Sequence, residues 1–142
     1  MINSANARAD LAALILRLSF GGVILAHGLI KYFVFTPAGT AGFFESIGFP
    51  GVLGYAVMFG EIAAGVALIA GVLVRAASIA LIPILLGAWY VHAGAGFLFS
   101  NEGGGWEFPA LLVALAVVQA LLGAGAYALK IPGVSQPRGV LA

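Results

Sequence analysis

The sequence predicts an all-α protein: a transmembrane four-helix bundle with a short interfacial helix between helices 1 and 2 and both termini cytoplasmic. Three observations carry this expectation. Of the 142 residues, 63% are hydrophobic and only 8% are charged. A soluble domain carries about 25% charged residues, so the chain has too little polar surface to cover a water-soluble globule. Apolar runs of roughly 20 residues, the length that crosses a bilayer, recur four times between polar or Gly/Pro breaks. No segment alternates polar and apolar residues with period two, which argues against a β-barrel. The mean hydropathy of +1.14 agrees.

The N-terminal residues 1–10 are polar and read as a cytoplasmic tail. Arg17 cuts short the apolar run that a cleaved signal peptide would need, so the first helix, 11–35, is expected to be retained. Thr36–Pro37–Ala38–Gly39–Thr40 is a breaker cluster. The stretch 41–48 follows, in which Phe43, Phe44 and Ile47 can share one face while Glu45 meets water, as in an interfacial helix. Pro50 and Gly51 open a second span, 51–73. Arg75 marks a tight turn, and a third span covers 76–93 with Pro83 expected to kink it. The Gly-rich connector 94–106 cannot span. Pro109 then sits in the first turn of a fourth helix, 107–129, where its missing N–H is harmless. Lys130, Pro132 and Gly133 stop that helix, leaving a cytoplasmic tail, 130–142.

Arg8, Arg75, Lys130 and Arg138 gather on one side of this arrangement. Glu45, Glu102 and Glu107 lie on the other, with Lys31 as the only cation there. The positive-inside rule then puts both termini in the cytoplasm. A net charge of +1 without a basic run gives no nucleic-acid footprint. Zero cysteines exclude disulfides, thiolate iron–sulfur ligation and a thiol relay within the chain.

Ionisable groups inside a span cost about 2.5–3.5 kcal/mol each on insertion scales, so each needs a reason. Arg17 and His27 fall in helix 1, Glu61 in helix 2 and His92 in helix 3. At a rise of about 1.5 Å per residue, Arg17 lies about 9 Å from the cytoplasmic end and His27 about 24 Å. Glu61 lies about 18 Å and His92 about 26 Å from that end. Arg17, Gly21, Gly28 and Lys31 form one stripe with His27 at its margin, and the glycines allow another helix to approach closely. Helix 2 turns Gly54, Glu61 and Gly65 to one face. His27, Glu61 and His92 are therefore expected to converge in the outer half as candidate catalytic groups. Lys31, Trp89, Trp106 and Glu107 would form the rim of their pocket. Arg17 and Glu61 would be a buried structural ion pair, with Lys31 as the alternative partner for Glu61. The plainer readings are an interfacial His92, a solvated Glu107 and tryptophans that belong to the aromatic belt.

No metal site is expected, because no Glu-x-x-His pair occurs and the candidate ligands lack metal-binding spacing. Flavin and haem lack convincing signals as well. A quinone fits better, given apolar and aromatic walls and a His or Glu to bond each carbonyl. The alternative is a non-catalytic accessory subunit packing against a larger respiratory or photosynthetic membrane complex. A small-residue ladder, Ala116, Ala120, Ala124 and Ala128, would offer the surface for a membrane-protein partner or a second copy.

Arg17, Ala26–His27–Gly28–Leu29–Ile30–Lys31, Phe44 with Gly48 and Pro50, Glu61, Gly71 with Arg75, His92 with Gly96–Phe97, and Gly105–Trp106–Glu107 follow one another in an order and spacing that resemble the DoxX family. The likeness extends from about residue 11 to 125. It implies a small four-helix protein of the bacterial cytoplasmic (inner) membrane, linked to oxidoreductase chemistry. Some relatives are subunits of thiosulfate:quinone or terminal quinol oxidase systems, and others assemble with oxidative-stress enzymes. Lacking cysteine, this chain would need an external thiol or a partner for any sulfur handling.

Overall fold

A computed structural model describes residues 4–129. Five α-helices follow in order: α1 (Ser4–Phe33), α2 (Pro37–Ser46), α3 (Gly51–Ala70), α4 (Val74–His92) and α5 (Glu107–Leu122). A short 3-10 turn, Ala93–Ala95, extends α4, and the described residues contain no strand. Three of these helices, α1, α3 and α4, are long and apolar enough to cross a membrane, whereas α5 has 16 residues. At about 1.5 Å per residue α5 is about 24 Å long.

Several helix boundaries differ from expectation for local reasons. α1 begins at Ser4, so residues 4–10 belong to the helix and not to a tail. Ala5, Ala7 and Ala9 favour helix, and neither Gly nor Pro interrupts them. Residues 1–3 and the tail expected over 130–142 lie outside the described residues. α2 starts earlier than expected because the Thr36 hydroxyl accepts the Gly39 N–H at 3.2 Å and Pro37 occupies the first helical turn. α3 closes at Ala70 on Gly71, whose φ of 78° is left-handed. The Val72 N–H then reaches the Ala67 carbonyl at 2.9 Å, the closure typical of a glycine-capped helix end. α5 ends at Leu122 and not at 129, because Gly123 and Gly125 take φ of 72° and 70°.

The chain beyond α5 lies against the ends of α1 and α3. The Ala126 N–H donates to Asp10 Oδ1 at 2.9 Å, and the Leu129 N–H donates to the Ala70 carbonyl at 3.2 Å. Backbone that leaves a helix in or near a bilayer needs such partners, since lipid supplies none.

α1 packs mainly on α3, α2 on α3, and α4 on α5. The α1–α3 seam is made of glycine. A Cβ on Gly28 would sit 2.7 Å from Ile62 Cγ1, and one on Gly65 would sit 2.7 Å from the Leu25 backbone nitrogen. Between helices in lipid, such close approach supplies dispersion contact where hydrophobic transfer supplies little. Phe20, Ile24, Leu68, Leu81, Leu85 and Leu112 fill the core. Ala116 is fully buried in the same cluster, and Ala124 lies beyond the end of α5. The expected alanine ladder is thus neither one helical stripe nor an outward surface. Outward positions are held by Tyr55, Phe59, Val66, Ile79 and Leu86.

Candidate functional site: an apolar-walled cavity among the five helices

One cavity of about 480 Å³ is lined by residues from all five helices. α1 contributes His27 and Lys31, α3 contributes Glu61, and α4 contributes His92. The remaining wall is largely apolar and aromatic, with Phe44 beside α2's other ring Phe43, and with Phe108 and Leu112 of α5. The three groups expected to converge therefore line the same space.

The carboxylate is held differently from the expectation. Lys31 Nζ donates to both oxygens of Glu61, at 2.9 and 2.7 Å. The Lys31 side chain keeps 21% of its surface exposed and that of Glu61 only 7%. Arg17 does not pair with Glu61. Its guanidinium donates from Nη1 to the Leu68 and Ile69 carbonyls and from Nη2 to the Tyr127 carbonyl at 2.6 Å. Helix register decides this. Gly28 packs directly on Glu61 and Ile62, which sets the carboxylate one turn from Lys31 and about 16 Å along α1 from Arg17. Arg17 instead answers carbonyls of the last turn of α3, a role suited to a planar fork of donors.

Both imidazoles are fixed through Nδ1. His27 Nδ1 lies 2.8 Å from the Val23 carbonyl one turn back, and its ring stacks on Phe108 at a centroid distance of 5.8 Å. His92 Nδ1 lies 2.8 Å from the Gly103 carbonyl in the connector. Gly103 and Gly104 have φ of 84° and 74°, a conformation that glycine adopts without strain. A Cβ on Gly104 would lie 3.3 Å from His92 Nδ1. The glycine run thus brings a carbonyl onto the histidine, a role that its sequence alone did not disclose.

The expected rim is rearranged. Lys31 lies in the cavity wall itself, whereas Trp89, Trp106 and Glu107 do not line it. Trp89 and Trp106 stack at 5.9 Å, and Phe97 meets Trp106 edge-on at 4.9 Å. This aromatic clamp holds the connector to α4. Glu107 Oε1 accepts the Phe99 N–H at 2.8 Å, and the Trp106 and Glu107 N–H groups reach the Gly96 and Phe97 carbonyls. Phe97, Phe99, Trp106 and Glu107 border a separate hollow of about 430 Å³, with Phe108 as the wall between the two. Among the described residues, no three His, Asp or Glu side chains form a metal-binding group. Sequence reasoning also passed over Gln119, which is fully buried in α5 and donates to the Gly123 carbonyl at 2.8 Å. A lone amide within an apolar run was the signal.

The fold and the cavity define a multi-pass helical membrane protein that gathers two histidines and a lysine–glutamate pair within an apolar wall. A family model described as DoxX matches residues 12–94, more than half of the chain, and the chain belongs to the DoxX family. The match takes in Arg17, His27, Lys31, Glu61 and His92 and ends before α5. No curated protein and no solved structure matches the chain.

Proposed function

We propose that this DoxX protein is an integral membrane component of a quinone-linked redox system and holds a quinone-class ring in the cavity between its helices. The observation that carries the reading is one apolar-walled cavity of about 480 Å³ lined by His27, Lys31, Glu61 and His92. That volume lies within the range of about 300–1,000 Å³ typical of small-molecule sites, and a few polar groups in an apolar wall suit a flat, amphipathic ring. A quinone supplies paired electron and proton chemistry when bound. The residues of this chain would orient the ring between Phe44 and Phe108 and hold or move a proton at the free nitrogen of His27 or His92. The Lys31–Glu61 pair would fix the charge beside it.

In this reading α5 completes a four-span arrangement in the bacterial cytoplasmic membrane, with both termini inside and α2 lying at the outer surface. Electrons would pass to or from a membrane-protein partner. The accessory-subunit alternative follows from the lack of a flavin, haem or metal signal in the sequence, and the alanine ladder it offered as a partner surface is partly buried within the fold. A thermal-shift titration of purified protein tests the proposal. A short-chain quinone or its reduced form should raise the unfolding midpoint by about RT ln(1 + [L]/Kd). His27→Ala and His92→Ala should weaken that protection, and the outward-facing Val66→Ala should leave it intact. Loss of protection in neither histidine variant sinks the pocket assignment.

A further inference from the structure

We infer that the cavity selects a ligand that donates hydrogen bonds, and so binds the reduced, dihydroxy form of an aromatic ring in preference to the oxidised dione. The inference rests on the quinone-pocket reading and adds which redox form the pocket prefers. It follows from a count of donors and acceptors on the cavity wall.

A backbone carbonyl can only accept a hydrogen bond. The 2.8 Å contacts of His27 Nδ1 with the Val23 carbonyl and of His92 Nδ1 with the Gly103 carbonyl therefore place the hydrogen on Nδ1 in both rings. A neutral imidazole has one N–H, so Nε2 carries a lone pair in each. Among the described residues, each imidazole's hydrogen bond runs through Nδ1, which leaves Nε2 as the nitrogen with which it meets a ligand. Two independent devices impose this tautomer. One is a helical carbonyl four residues back, and the other is a glycine connector whose positive-φ backbone brings Gly103 over His92. Glu61 adds a carboxylate, which only accepts. Among the described side chains that line the cavity, Lys31 is the one remaining donor, and it directs two of its three N–H bonds to Glu61. Its third meets a carbonyl or a hydroxyl oxygen equally well, so it does not discriminate between redox forms.

A dione in this cavity turns carbonyl lone pairs toward imidazole lone pairs, and both sides lose hydrogen bonds made to water. A hydroquinone of the same shape turns O–H groups toward the same nitrogens. Net values near 1 kcal/mol per hydrogen bond make the expected preference about tenfold or more in Kd.

The test uses the full-length protein in detergent under anaerobic conditions in mildly alkaline buffer. Three probes share one ring: tetramethyl-1,4-benzoquinone, tetramethylhydroquinone and the dimethyl ether of that hydroquinone. Thermal-shift titrations should give the hydroquinone a Kd about tenfold below that of the quinone, with the ether no better than the quinone. Equal or tighter binding of the quinone overturns the inference while leaving the quinone pocket standing. Protection by none of the three overturns both. His27→Phe and His92→Phe should each narrow the gap between the two redox forms. An equal loss of affinity for both forms would make the imidazoles mere walls and defeat the inference. Nitrogen NMR of labelled histidine gives a readout that needs neither ligand nor variant. Nε2 should resonate as an unprotonated nitrogen in both rings, and a proton found on Nε2 overturns the assignment.

Discussion

Lys31 and Glu61 show how a charged residue becomes tolerable between helices. The carboxylate is nearly enclosed but meets both of its oxygens' needs with one ammonium, which keeps its own outer flank exposed. Removing one partner of a buried pair typically costs about 3–5 kcal/mol, because the other charge is stranded. Glu61→Gln is expected near the lower end of that range, since Lys31 retains some exposure. Replacing Lys31 with Met and Glu61 with Leu together should recover much of the loss, as read by thermal unfolding in detergent. The same cycle run with Arg17→Met in place of the lysine change should be additive, because Arg17 bonds to carbonyls at the far end of α3. Coupling in the arginine cycle and additivity in the lysine cycle would reverse the assignment.

At the scale of helices, α1 and α3 form the rigid part of the site, and their contact depends on missing side chains. Gly28→Ala would push a methyl into Ile62 and toward Glu61, so α1 must move away from α3. A destabilisation of about 1–3 kcal/mol is expected, together with weaker coupling between Lys31 and Glu61. Gly22→Ala, on the same helix but with nothing within 4 Å of the added carbon, should be neutral or stabilise by up to about 1 kcal/mol. Circular dichroism melts of the two variants side by side distinguish a packing seam from simple helix propensity. Much of this was legible in the chain, because a period of 3.6 residues aligns Gly21, Gly28 and Lys31 whatever the partner helix. The partner of Glu61 was not, because a helical wheel fixes a face and leaves the depth of the neighbouring helix open. About four turns of α1 separate an arginine partner from a lysine one. The end of α5 differs for another reason: apolar composition continues past Gly123, but helical backbone conformation does not. The His92–Gly103 bond lay beyond reach, since it depends on how a connector folds back over a helix end.

Across the whole molecule, the charges sort the two ends of the bundle. Asp10, Arg17 and the Gly71–Arg75 turn lie at one end, and Lys31, His92 and the glycine connector lie at the other. With the proposed orientation, Ser46→Cys and Ser100→Cys should react with an impermeant maleimide in intact cells. Ala76→Cys should react only after the membrane is opened. The cysteine-free background makes the readout direct, and labelling of Ala76→Cys in sealed cells would invert the topology.

The shortness of α5 bears on which bilayer suits the protein. Its 16 residues fall short of a hydrocarbon layer of about 30 Å by about 6 Å. In the coil that follows, the Ala126 and Leu129 N–H groups are taken up by Asp10 and Ala70, partners of the kind that backbone at the hydrocarbon border needs. Hydrophobic mismatch of this kind costs fractions of a kcal/mol per Å and is relieved when the surrounding lipid is thinner. The unfolding midpoint in vesicles should accordingly pass through its maximum at acyl chains shorter than those of an average membrane and fall as the chains lengthen. A midpoint that rises steadily with chain length would place α5 and its coil outside the hydrocarbon. On the expected outcome, lipid pinches in on one side of the bundle only, beside α5, whose Phe108 and Leu112 wall the cavity. A membrane-dissolved ring would then reach that wall through the thinnest lipid anywhere around the protein.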